Sequence, residues 1–142
     1  MSKVYLINKL LKREKGNSAI EFALILPVLL LILFAIFEYS WVCVMQTTLN
    51  NAVNQGAVAA TKARVNIGED PEIFARKFVK ESFWMGEITD EDIQCILYES
   101  DGNYPRRVEV SVSDLPYRPL TAILPESCLP EKLGAKSVVP MQ

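Results

Sequence analysis

At 142 residues, half of them apolar, the chain has room for one modest domain and a membrane segment. It has no histidine, which removes the commonest general base and metal ligand, and its three cysteines lack the C-x-x-C spacing of a zinc site. The net charge of −2 hides a split: residues 1–15 carry +4, residues 46–142 carry 10 basic and 14 acidic side chains, and Glu21 and Glu38 add the rest from an apolar stretch, so a nucleic-acid partner for the C-terminal part is excluded.

The basic character of the N-terminus comes from Lys3, Lys9, Lys12, Arg13 and Lys15. Tyr5, Leu6, Ile7, Leu10 and Leu11 give the same segment some amphipathicity, so it is either a short helix on a membrane surface or a positive flank that sets topology. From Phe22 to Met45 only Pro27, Glu38 and Ser40 interrupt the apolar run of 24 residues. As a helix this run is ~36 Å long at ~1.5 Å per residue, enough to cross a hydrocarbon core of ~30 Å. A buried helix of a soluble domain competes with this reading, but the rest of the chain is too small to cover a helix apolar on all sides. A cleaved secretory signal also competes. Its apolar core would be shorter and would end in a small-residue site, which Phe37-Glu38-Tyr39-Ser40-Trp41 does not match.

The charge asymmetry places the N-terminus in the cytoplasm and the C-terminal domain outside, with Tyr39 and Trp41 as interfacial aromatics. Pro27 frees the carbonyl of Ala23 and predicts a kink. Glu21 falls at the inner edge, where Lys15 is a candidate partner, and Glu38 at the outer edge, where it is expected to reach toward water.

The segment Gly16-Asn17-Ser18-Ala19-Ile20-Glu21-Phe22-Ala23-Leu24-Ile25-Leu26-Pro27 resembles the start of TadE-like pseudopilins, minor pilins of the Tad (tight adherence) pilus system. That pattern is a basic leader, a glycine, four small or apolar residues, Glu-Phe, an apolar run with an early proline, and then a Glu-Phe/Tyr pair, here Glu38-Tyr39. Asn17 and Ser18 are more polar than the alanines usual at those places. The resemblance extends over about residues 13–65.

It implies cleavage by a prepilin peptidase between Gly16 and Asn17, with Glu21 and Phe22 as recognition and assembly residues. A glycine lets the backbone approach a protease site in extended form. A carboxylate near lipid gains from a cationic partner, so Glu21 would pair with the new α-amine of a neighbouring subunit. The implied partners are the prepilin peptidase, other pilins and minor pilins, the inner-membrane pilus platform and the lipid bilayer. The implied location is the bacterial cytoplasmic membrane, and no cofactor or metal is implied.

Beyond the span, Leu49, Ala52, Val53, Ala57 and Ala60 fall near helical spacing, which predicts that the helix continues to about Arg64. Residues 66–70 break it. Asp70 as N-cap and Pro71 at the first helical position open a second helix over about 71–85, with Ile73, Phe74, Phe78 and Phe83 as its buried face and Ala75 and Val79 beside them. Phe83-Trp84-Met85 reads as core in preference to an exposed adhesive patch. Alternation at Ile93, Cys95 and Leu97, and at Val108, Val110 and Val112, predicts a hairpin closed by Asp101-Gly102-Asn103. The proline-rich stretch 114–131 predicts irregular structure with a short helix over 120–124. Residues 136–140 predict a last edge strand that tolerates Pro140.

Outside the cytoplasm Cys95 and Cys128 are suited to a disulfide worth ~3 kcal/mol, with two free thiols as the alternative. Cys43 reads as a small apolar residue in the span. Ser127 has no histidine to activate it, Asp90 to Asp92 read as a charged turn or helix cap, and no catalytic constellation emerges. The expected architecture is α+β, a pilin-like lollipop: a basic leader at 1–16, a transmembrane helix at 17–45, and an extracytoplasmic domain at 46–142. The expected role is non-enzymatic, in assembly or initiation of a Tad-type pilus. The alternative is an uncleaved, membrane-anchored periplasmic binding or scaffold module; a membrane-anchored hydrolase is disfavoured by the missing histidine.

Overall fold

In a computed structural model, one helix serves both halves of the molecule. The structure describes residues 2–63, 68–121 and 123–141, with side chains from Ser18 onward. Helix α1 spans Ser2–Lys62 and continues through Pro27. Its side chains from Ile20 to Phe37 are almost all exposed, Leu24 at 72% and Leu31 at 57% among them. From Met45 the character reverses. Met45, Leu49, Ala52, Val53, Ala57 and Ala60 recur at helical spacing and are buried, so the second half of α1 is the spine of a hydrophobic core.

Helix α2, Pro71–Ser82, opens as its sequence requires. Asp70 is extended and its carboxylate accepts from the Glu72 N–H at 2.9 Å, with Pro71 in the first turn. Its buried face differs from expectation: Pro71, Ala75 and Val79 are covered, whereas Ile73 is 65% and Phe78 38% exposed. The reason is the closeness of the two helices. A Cβ at Gly56 would meet the Val79 Cγ2 at 2.4 Å and the Ala75 carbonyl oxygen at 3.0 Å. Only small side chains fit such an approach, so the large aromatics lie to either side. Phe83 is buried, Met85 half-buried and Trp84 exposed, so one of the three residues of that cluster faces outward.

Three antiparallel strands, β1 (Ile93–Tyr98), β2 (Arg107–Pro116) and β3 (Lys132–Pro140), form a sheet in the order β1-β2-β3, with the helices on one face. The expected hairpin loop is present: Asp101 accepts from the N–H groups of Asn103 and Tyr104, and Gly102 takes a φ of 86°. β3 is the expected edge strand, longer than 136–140, with Pro140 at its end opposite Arg107. The helix expected over 120–124 is absent among the described residues; a 3-10 turn forms instead at Glu126–Cys128, where prolines on both sides confine helical backbone to one turn.

A bulge in β2 sets which face the next residues take. The register slips between Val112 and Leu115, and Asp114 adopts a left-handed φ of 64°. One extra residue reverses the alternation. Before it Val108, Val110 and Val112 face the helices; after it Leu115 and then Tyr117 do.

The α1–α2 contact generates a prediction. Gly56→Val puts three carbons where one already overlaps Val79, and overpacking of this kind costs ~2 kcal/mol or more. Urea denaturation of the detergent-solubilised chain, followed by near-ultraviolet circular dichroism, should show a lower midpoint, and Val79→Ala should partly restore it.

Candidate functional site

The residues that the sequence singles out do not converge. Gly16 and Asn17 lie outside the residues whose side chains are described. Glu21 and Pro27 are on the exposed surface of α1, and Phe22 beside them is 61% exposed. All three cysteines are free thiols, so the expected Cys95–Cys128 disulfide is not formed. The carbonyl of Cys128 accepts from the Tyr39 hydroxyl at 2.9 Å. Cys95, on β1, lies in the field of Glu72 and Asp70 at the start of α2; burial first, then those carboxylates, raises its thiol above the ordinary range. α2 packs on α1 at Gly56, 17 residues beyond Tyr39. That is ~25 Å of helix, whereas a disulfide needs Cα atoms within about 7 Å.

The built site lies elsewhere, around Glu38. The expectation that this carboxylate reaches for water does not hold: Glu38 is 0% exposed. Its Oε1 accepts from the Tyr117 hydroxyl at 2.7 Å and from the Leu120 N–H at 2.7 Å. Its Oε2 accepts from the Thr121 N–H at 2.9 Å and the Thr121 hydroxyl at 2.6 Å. Burial, and then the bond to Glu38, holds the Tyr117 phenol well above its usual range, so it remains a donor.

Local sequence explains each partner. The β2 bulge turns Tyr117 toward α1. Strand pairing ends at Pro116 and Pro119 has no N–H to extend it, so the Leu120 and Thr121 amides belong to no ladder. One residue further on, Tyr39 holds the other end of the same loop through Cys128, and Gln46 donates to the Gly134 carbonyl at 2.8 Å. The adjacent residues Glu38 and Tyr39 thus staple the 117–128 segment to the helix at two points.

Sequence reasoning missed Tyr117, Leu120 and Thr121. The signal was present in two halves: a carboxylate in an apolar stretch, and a proline-rich segment with hydroxyls and unpaired amides. The charged turn at 90–92 is occupied structurally, because Asp92 accepts from the Thr89 N–H and hydroxyl, and Lys80 pairs with Asp90 at 2.7 Å. Among the described residues no cluster of metal-ligating side chains occurs.

Among the described residues one long apolar helix, exposed over most of Ile20 to Phe37 and joined to a small α+β domain, fits a single-pass membrane protein. Residues 16–58 match the family model described as TadE-like protein, so the resemblance is borne out over the segment that contains Gly16, Glu21, Glu38 and Gly56. A search of curated proteins returned no match, and neither did a search of solved structures. The family is one of Tad pilus-related structural components, not an enzyme family.

Removing the Glu38 carboxylate leaves two part-buried amides without their acceptor, at ~1–3 kcal/mol for a fully buried unsatisfied group and less where water can reach it. In Glu38→Ala, amide exchange at Leu120 and Thr121 should accelerate by roughly tenfold or more, since each ~1.4 kcal/mol is a factor of ten. Glu38→Gln, which keeps one acceptor oxygen, should fall between. Exchange unchanged from wild type would refute the staple.

Proposed function

We propose that this protein is a minor pilin that acts in the assembly or initiation of a Tad-type pilus. One observation carries the reading: the Gly16 to Phe22 motif stands directly before an apolar helix stretch with no fully buried residue up to Phe37, and the family match begins at that glycine. In this reading a prepilin peptidase cleaves after Gly16 and removes the basic leader. Asn17 becomes the N-terminus, and Glu21 meets the α-amine of a neighbouring subunit. Pro27 provides a bend point in the helix. The partners are the peptidase, other pilins and the inner-membrane platform, and the domain lies on the periplasmic side.

We place the membrane segment at about 18–37, shorter than the 17–45 expected from composition. The stretch from Ile20 to Phe37 holds no fully buried residue; Glu38 is the first, and beyond it exposed positions such as Tyr39 and Val44 alternate with buried ones such as Met45 and Leu49. Twenty residues make ~30 Å of helix, the thickness of the hydrocarbon core. The half of α1 beyond Met45 is apolar because it is domain core.

N-terminal sequencing of the protein recovered from membranes tests the proposal. An N-terminus at Asn17, dependent on the peptidase, is expected. Met1 or Ser2 in a piliated cell favours the uncleaved anchored module and refutes processing. Glu21→Ala should still be cleaved yet be lost from the pilus fraction; normal processing together with normal piliation would remove the assembly role of Glu21.

A further inference from the structure

The loop held by Glu38 has a surface that the staple does not explain. From Tyr117 to Pro125 the only charged residue is Arg118. Leu120 is 55% and Ile123 51% exposed. Single exposed apolar residues are common on any protein surface, so the position of these two decides the matter. The Leu120 amide bonds to Glu38, the first fully buried residue after the largely exposed stretch from Ile20 to Phe37. Side chains of a helix lean toward its N-terminus, so the Glu38 carboxylate lies beside the preceding turn of α1. Burial agrees with this: Phe34 and Ala35 are half-buried, whereas Leu33, Ile36 and Phe37 are exposed. The loop therefore overlaps the last turn of the lipid-exposed helix.

We infer that the Pro119–Pro125 segment lies in the membrane interface, with Leu120 and Ile123 entering the acyl boundary and Arg118 at the headgroup phosphates. The domain is then anchored at a second point beside its helix. Irregular backbone tolerates membrane depth only where its polar groups are already bonded. Here Glu38 takes the Leu120 and Thr121 N–H groups, Pro119 and Pro125 have none to satisfy, and the Pro125 carbonyl accepts from the Cys128 N–H, so the backbone groups left over, those of Ile123 and Leu124 among them, belong at the level of headgroups and interfacial water and not in the hydrocarbon. The apolar surface of the loop continues that of α1 and has the same solvent. An interfacial segment of this kind buries its apolar side chains ~5–10 Å into the headgroup and acyl boundary. The inference rests on the proposed span at 18–37.

The test uses the full chain in vesicles of phosphatidylethanolamine and phosphatidylglycerol. With the native cysteines replaced by serine, a nitroxide is placed at position 123 in one sample, at 30 in the span in a second, and at 101 in the distal hairpin loop in a third. Collision with oxygen is compared with collision with a water-soluble nickel chelate. The label at 30 should favour oxygen, the label at 101 the chelate, and the label at 123 should side with 30. If 30 favours oxygen while 123 sides with 101, the loop is aqueous and the inference fails with the span intact. If 123 is shielded from both reagents, protein covers it and the inference fails as well. If 30 itself favours the chelate, the span is wrong and the inference falls with it.

Discussion

The carboxylate of Glu38 is the constraint on which the relation between helix and domain depends. It is fully buried, and four neutral donors converge on it from Tyr117, Leu120 and Thr121. Desolvating an ion costs several kcal/mol. Hydrogen bonds to a charged group return ~1.5–3 kcal/mol each. The two sums are of similar size, so the net contribution to stability is small and the main effect is positional. An apolar side chain at 38 would pack against the loop in many ways. A carboxylate with four directed bonds accepts one, and thereby fixes where the loop meets the helix.

Two local features make that bond set reachable. The bulge at Asp114 shifts the phase of β2 so that Leu115 and Tyr117 face α1. Without it, Tyr117 would be on the far face of the sheet with Lys136, Glu109 and Arg107. Further along, Gly56 lets α2 approach so closely that Ala75 and Val79 suffice to fill the interface. These contacts, with the bonds of Gln46 and Asn54 to β3, tie the domain to α1 at several levels. The helix cannot move along its axis without moving the domain, because its second half is the core of that domain.

Most of the fold was legible because local chemistry specified it. Asp70-Pro71 marked a helix start, Asp101-Gly102-Asn103 marked a hairpin, and period-two valines marked β2. What was not legible depended on contacts between segments far apart in sequence. Ile73 and Phe78 look like core by hydrophobicity, yet the closeness set by Gly56 excludes them. Cys95 and Cys128 look like a pair by compartment and number, yet the helix separates their levels. Glu38 looked like a surface carboxylate because its partners lie about 80 residues away (|i−j| of 79 to 83) in a segment whose own pattern was irregular.

The two carboxylates of the apolar stretch thus answer the same problem differently. Each would be costly in lipid without donors. Glu38 draws its donors from its own chain, so its environment is complete in the single subunit and need not change if the helix leaves the bilayer. Glu21 stands on the exposed surface of α1, about 25 Å away along the helix axis, at the opposite end of the proposed span. Only a group at such an exposed place can take part in recognising another subunit. The division follows from position. The carboxylate nearer the domain is internalised and fixes the fold of the loop, while the one nearer the N-terminus stays on the helix surface. A mutation at 38 therefore acts first on structure within the subunit, whereas one at 21 acts on the exposed surface of the helix, where the proposed contact with a neighbouring subunit would form.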